Sequence, residues 1–219
     1  MLAAPVTLRS DRVESTIDEE IYFRSMTDYN FKPKFTRDDF GWYWRNLPHL
    51  DGDELTQFVT FRLCDSIPEE LAKKWRSEAK GDTEFRKRVE KFLDTGFGEC
   101  WLKDESVAKM LVDSLKFHHG TKYELHVWVV MPNHGHALLT PLPGHHFPDV
   151  MHSIKSYTAQ QANKILGRSG QFWQHESFDR YIRNWKHFAA VVRYIESNPV
   201  KAGLCATPQD WCWSSAFVE

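Results

Sequence analysis

The chain has 219 residues, of which 42% are hydrophobic and 14% aromatic, and its formal net charge is −2. That length and composition suffice for one large core, while the near-neutral balance excludes a bulk polycation, so any nucleic-acid contact has to rest on local patches. No apolar run approaches the roughly 18 residues of a membrane span, the charged start does not read as a signal peptide, and four scattered cysteines (Cys64, Cys100, Cys205, Cys212) without a C-x-x-C pair suit a reducing, cytoplasmic setting.

Residues 1–40 are polar and acidic with little periodicity and read as an N-terminal extension to a domain over 41–219. Residues 41–54 are turn-rich, with Pro48 and Gly52. The alternating stretch 55–64 predicts a strand, with Phe58, Thr60 and Arg62 opposing Val59, Phe61 and Leu63. Helices are predicted over 66–80, with Ser66 as N-cap, over 82–96, and over 104–120, where Val107, Met110, Leu111 and Leu115 recur at helical spacing. Residues 122–132 form a strand stopped by Pro132, and 134–140 a second one, antiparallel to it across the short link. A helix follows over 147–166 with Val150, Ile154, Tyr157 and Gln161 on one face. Residues 167–184 read as a loop, 185–198 as a helix closed by Pro199, and the tail as irregular and aromatic.

Charge is uneven along the chain. Residues 1–54 carry 11 acidic against 7 basic side chains, whereas 150–203 carry 8 basic against 3 acidic. The basic stretch includes Lys155, Lys164, Arg168, Arg180, Arg183, Lys186, Arg193 and Lys201, interleaved with Phe172, Trp173 and Phe178. Cations bind phosphates and aromatics stack on bases, so this stretch is the candidate DNA surface, although scattered Lys and Arg also occur as a plain solvated face.

Two residue pairs carry chemistry. His134 and His136, two apart on a strand, emerge on one face about 7 Å apart at the backbone and can meet one cation. Two ordinary histidines at a sheet end, or a zinc site, are the alternative readings. Gly135 between them leaves the opposite face open to a close neighbour. Tyr194 and Asn198 lie one helical turn apart on a common face. A tyrosine hydroxyl can attack phosphorus, and an amide oxygen is a ligand that Mg²⁺ and Mn²⁺ accept. A half-buried aromatic followed by a helix-ending Asn-Pro is the plainer reading of that pair.

The blocks "VVMPNHGHALLTP", "SIKSYTAQQANKILGRSGQFWQHESFDRYIRN", "YIESNPVKAGL" and "PQDWCWSSA" resemble, in order and over roughly residues 41–217, the REP-associated tyrosine transposases. These are single-tyrosine relatives of the insertion-sequence transposases within the His-hydrophobe-His (HUH) nucleases. The resemblance implies an α+β fold: an antiparallel, ferredoxin-like sheet with helices packed on one face and the histidine motif on a central strand. It implies metal-dependent cleavage and rejoining of single-stranded or hairpin DNA through a covalent 5′-phosphotyrosine. By the same resemblance the metal, Mg²⁺ or Mn²⁺, falls to His134, His136 and Asn198, and the nucleophile is Tyr194, in competition with Tyr157 and Tyr181. DNA contacts fall to Lys155, Arg168, Trp173, Arg180, Arg183, Arg193 and Lys201, with Lys155 and Lys201 near the phosphate. The family's central residue is a bulky hydrophobe where this chain has Gly135, which predicts looser packing behind the metal site. Two other functions stay open: a replication initiator or relaxase of the same superfamily, and a catalytically quiet DNA-binding regulator. A monomer and a homodimer both fit.

Overall fold

The computed structural model describes the backbone of 41–44 and 48–51 and all atoms of 54–218. The expected extension, residues 1–40, lies outside the described residues. In the unit Phe31–Glu219, β1 (Gly41–Trp44) and β2 (Pro48–Asp51) pair as an antiparallel hairpin in the stretch read as turn-rich.

The main sheet has four strands in the order β4-β5-β3-β6, all antiparallel neighbours. They are β3 (Gln57–Arg62), β4 (Tyr123–Val130), β5 (His134–Pro141) and β6 (Phe178–Tyr181). β5, which carries both histidines, is central, as expected. β6 falls within the stretch read as a loop. Its four residues are too few for a periodic signal, and it is a strand because β3 offers a free edge for it to pair with.

Period-2 alternation gives β3 and β5 two buried faces. Val59, Phe61 and Leu63 meet Ala137 and Leu139 on one. This face carries the expected helix layer, α3 (Glu105–Phe117) and α4 (Phe147–Ile165). α3 buries Val107, Ala108, Leu111 and Leu115, and its start is fixed by the Asp104 carboxylate, which accepts from the Ser106 and Val107 N–H groups at 2.9 and 3.1 Å. α4 buries Phe147, Val150, Met151, Ile154, Thr158 and Ala162. Tyr157 is half exposed, so it does not belong to that apolar face as expected.

The opposite face carries Phe58, Thr60, Arg62, His134, His136 and Leu138. α5 (Trp185–Glu196) lies against β4 and β5 and is capped by Asn184, whose side chain accepts from the His187 N–H at 2.9 Å. The predicted helix over 185–198 is broken at Ser197. Pro199 has no N–H and clashes with a preceding turn, so the chain re-starts as the short α6 (Asn198–Lys201).

α1 (Glu69–Glu78) and α2 (Asp82–Leu93) form a helical pair inserted between β3 and α3. α1 begins after Pro68. Ser66 is not its cap: the Ser66 hydroxyl is buried, donates to the Leu63 carbonyl and accepts from Arg62. The C-terminal tail has a structural task that its irregularity hides. Val130 and Ser215 N–H groups donate to the Trp213 and Trp128 carbonyls, and the Trp211 indole donates to Val130, so the tail closes the outer edge of β4.

Candidate active site

His134 and His136 emerge on the face opposite the helix layer, each only 1% exposed, with ring centroids 4.8 Å apart. Each ring is held by its Nδ1. His134 Nδ1 donates to Asn133 Oδ1 at 2.7 Å, and the Asn133 amide in turn donates to the Phe97 carbonyl. His136 Nδ1 is paired with Thr60 Oγ1 at 2.8 Å, across the β3–β5 register. These contacts orient both Nε2 atoms, an arrangement that metal-binding imidazoles share. Burial depresses the pKa of His134 to about 3 and that of His136 well below its ordinary value, His134 and Lys201 adding to the second shift. Both rings are therefore neutral at physiological pH, with lone pairs available.

Asn198, 1% exposed, sits against His136 with its Nδ2 3.4 Å from Nε2, and its Oδ1 is buried without a hydrogen-bond partner. A buried orphan amide oxygen is costly unless something electropositive meets it. Two neutral imidazole nitrogens and one such oxygen are a donor set that fits a divalent cation of the Mg²⁺ or Mn²⁺ kind. Among the described residues no group of three or more His, Cys, Asp or Glu is gathered for a metal.

Tyr194 completes the cluster. Its ring lies 5.4 Å from that of His136 and 5.7 Å from that of Phe58, and its hydroxyl interacts with the side chains of Asn198 and Glu90. Burial, followed by the charges of Glu90 and Asp94, raises the phenol pKa, so the hydroxyl is protonated at rest. Lys201 lies with its ammonium 4.7 Å from the Tyr194 ring centre. Glu90, on α2, has a pKa raised by burial, while Arg180, Arg86 and Lys201 act in the opposite sense. Glu90 and Asp94 were missed in the sequence, because nothing local ties a carboxylate of α2 to a tyrosine of α5. Tyr181, in register with Gln57, lies on the sheet face opposite the histidines, and Tyr157 is half exposed on α4.

The DNA-contact candidates separate. Lys201 is exposed beside Tyr194, and Arg180 shares the site face through its register with Phe58. Arg183 and Arg193 are exposed near the start and on the shaft of α5. Trp173 corrects the expectation: it is 5% exposed, packs edge-on against Phe61, and its indole donates to Thr158 Oγ1, so it is core and not a stacking surface. Lys155 donates to the carbonyls of Gln174 and His175 and to Ser177, bracing that loop. Arg168 stacks over Trp101 at 3.7 Å and bonds Asn163 and the Gln171 carbonyl, bracing the next loop.

Gly135 corrects a second expectation. A Cβ there would lie 2.6 Å from Cζ of Phe61, which is wholly buried. The Phe61 ring, from the neighbouring strand, fills the space that a central hydrophobe would occupy, so the site is backed and not loosened.

The antiparallel sheet thus sets two buried histidines on a central strand, facing a helix-borne tyrosine and asparagine, and residues 102–198 match a family model described as "Transposase IS200 like". The chain is similar to a REP-associated tyrosine transposase. Over 102 residues it is 31% identical to the one from Escherichia coli (strain K12), a stretch covering 46% of this chain and 59% of that protein, so this chain spans about three fifths of the relative's length. A solved structure of a REP-associated tyrosine transposase bound to a REP hairpin covers 79% of this chain and 81% of its own, at 22% identity and a TM-score of 0.49. The matched segment contains His134, His136, Tyr194 and Asn198. It starts after β3, α1 and α2, so it is narrower than the span read from the sequence blocks. Among the described residues no helix is long and apolar enough to cross a membrane.

Proposed function

We propose that this protein cleaves and rejoins single-stranded DNA beside short hairpins, through a covalent link between Tyr194 and a 5′ phosphate. The observation that carries this reading is the convergence of His134, His136, Asn198 and Tyr194 from two distant segments onto one buried point.

His134 and His136 through Nε2, and Asn198 through Oδ1, would hold the divalent ion. Such an ion supplies Lewis-acid polarisation of the scissile phosphate when bound. Thr60 and Asn133 keep both imidazoles in the orientation that exposes Nε2. Tyr194 attacks phosphorus through its phenolic oxygen. The new O–P bond replaces the bond to the 3′ oxygen; Glu90 is the carboxylate in reach of the phenolic proton, and the departing 3′ oxygen becomes a hydroxyl by taking a proton from water. Lys201 and Arg180 stand where phosphate charge would collect. The phosphotyrosine conserves the bond energy, so rejoining needs no external source.

A cleavage assay on end-labelled single-stranded and hairpin oligonucleotides tests this. Strand scission with Mg²⁺ or Mn²⁺, suppressed by EDTA and confined to unpaired positions, is the expected result. Scission of duplex DNA alone, or none under any divalent condition, contradicts it.

A further inference from the structure

Beside the histidines lies a second site that Tyr194 and the cation ligands do not use. Arg62 and His134 are register partners on β3 and β5, so their side chains stand side by side on one sheet face. Arg62 is only 8% exposed. Its Nη1 donates to the Ser66 hydroxyl at 3.2 Å, and its Nε is buried without a partner. Burial lowers its pKa to about 10, which still leaves a full charge at neutral pH. A buried guanidinium held by one neutral hydroxyl lacks the anion that normally compensates it.

Arg62 lines a groove of about 450 Å³ between the α1–α2 pair and the β3–β6 edge. Lys73, Arg76, Phe85 and Phe178 are among its other walls, and Glu176 is the one carboxylate in the lining. Lys73 is paired with Glu69 at 2.8 Å and Arg76 with Asp82 at 2.6 Å, both at exposed positions where such pairs are weak and exchangeable. Arg76 lies over the Phe85 ring, and Phe178 is half-buried beside it. Cations interleaved with aromatic faces are the chemistry that holds a single nucleic-acid strand.

We propose that this groove binds a nucleotide of the DNA strand next to the cleaved one, Arg62 gripping a backbone phosphate and Phe178 taking a base. This rests on the single-strand reading above. The α1–α2 pair and β3, which wall the groove, precede the segment matched by the family model.

The test uses the full chain and fluorescein-labelled, mixed-sequence single-stranded oligonucleotides in EDTA, read by anisotropy over a salt series. R62M should weaken binding by about tenfold and flatten the slope of log affinity against log salt by about 0.7, one phosphate's worth, and R62K should restore the slope. Wild-type protein carrying the bound strand with 5-iodouracil at successive positions is also cross-linked and mapped, which needs no variant to fold. Cross-links to Phe178 or Phe85 support the groove. Unchanged affinity and slope in folded R62M, or cross-links only elsewhere, overturn it while leaving the single-strand reading intact. A wild-type chain that binds no single strand overturns that reading, and the groove's occupant with it.

Discussion

The two faces of β5 are equally buried and chemically opposite. Toward α3 and α4 it presents Gly135, Ala137 and Leu139, closed by Phe61 from β3. Toward α5 it presents His134 and His136 at 1% exposure, with Asn198 and Thr60 buried beside them. The first face gains from every apolar contact. The second places four polar side chains where water cannot compensate them, tolerable because each ring has an Nδ1 partner. The difference teaches that burial on the second face holds groups able to do chemistry. It keeps the imidazoles neutral and fixed, and the same strand's other face supplies the rigidity.

The largest break in that comparison comes from His136→Ala. It should abolish cleavage and drop Mn²⁺ affinity by more than the roughly 10–100-fold expected for the supporting changes Thr60→Val and Asn133→Ala. Titration calorimetry with Mn²⁺ alongside the cleavage assay checks all three. On the other face Gly135→Val should destabilise by about 1–3 kcal/mol through overpacking against Phe61. Urea denaturation should show recovery when Phe61→Leu is added, since the clash is with the tip of that ring.

Acid distinguishes the faces next. An unfolded histidine titrates near its ordinary value of 6.5, whereas His134 when folded does so at about 3 and His126, also buried, at about 4. Between those values the unfolded chain binds more protons, so stability is fully present above pH 6.5 and falls as pH drops toward 3. Denaturation curves at stepped pH should show that decline, and a flat profile would contradict burial of neutral rings. The smallest effect is Asp104→Ala, which removes the α3 cap and should lower stability by about 1 kcal/mol without altering cleavage in the folded fraction.

What the sequence made legible was set by local periodicity. The histidine pair follows from the two-residue repeat of a strand, and Tyr194 with Asn198 from one helical turn, even though Pro199 splits that turn between α5 and α6. α3 was readable from its apolar spacing. What stayed hidden depends on long-range pairing. β6 is a strand only because β3 accepts it, Thr60 supports His136 only through register, and Glu90 reaches Tyr194 from an inserted helix. Phe61 behind Gly135 belongs to the same class. Trp173 shows the converse: an aromatic among cations looks alike whether it faces DNA or fills a core, and only its indole bond to Thr158 decides.

The most direct measurement is the state of Tyr194 after reaction. Protein incubated with Mn²⁺ and a single-stranded oligonucleotide bearing a hairpin is denatured, resolved by electrophoresis and digested for mass spectrometry. The account predicts a band that resists denaturant, a nucleotide adduct on the peptide containing Tyr194, and loss of both in Tyr194→Phe. An adduct that persists in Tyr194→Phe and maps to Tyr157 or Tyr181 would contradict it.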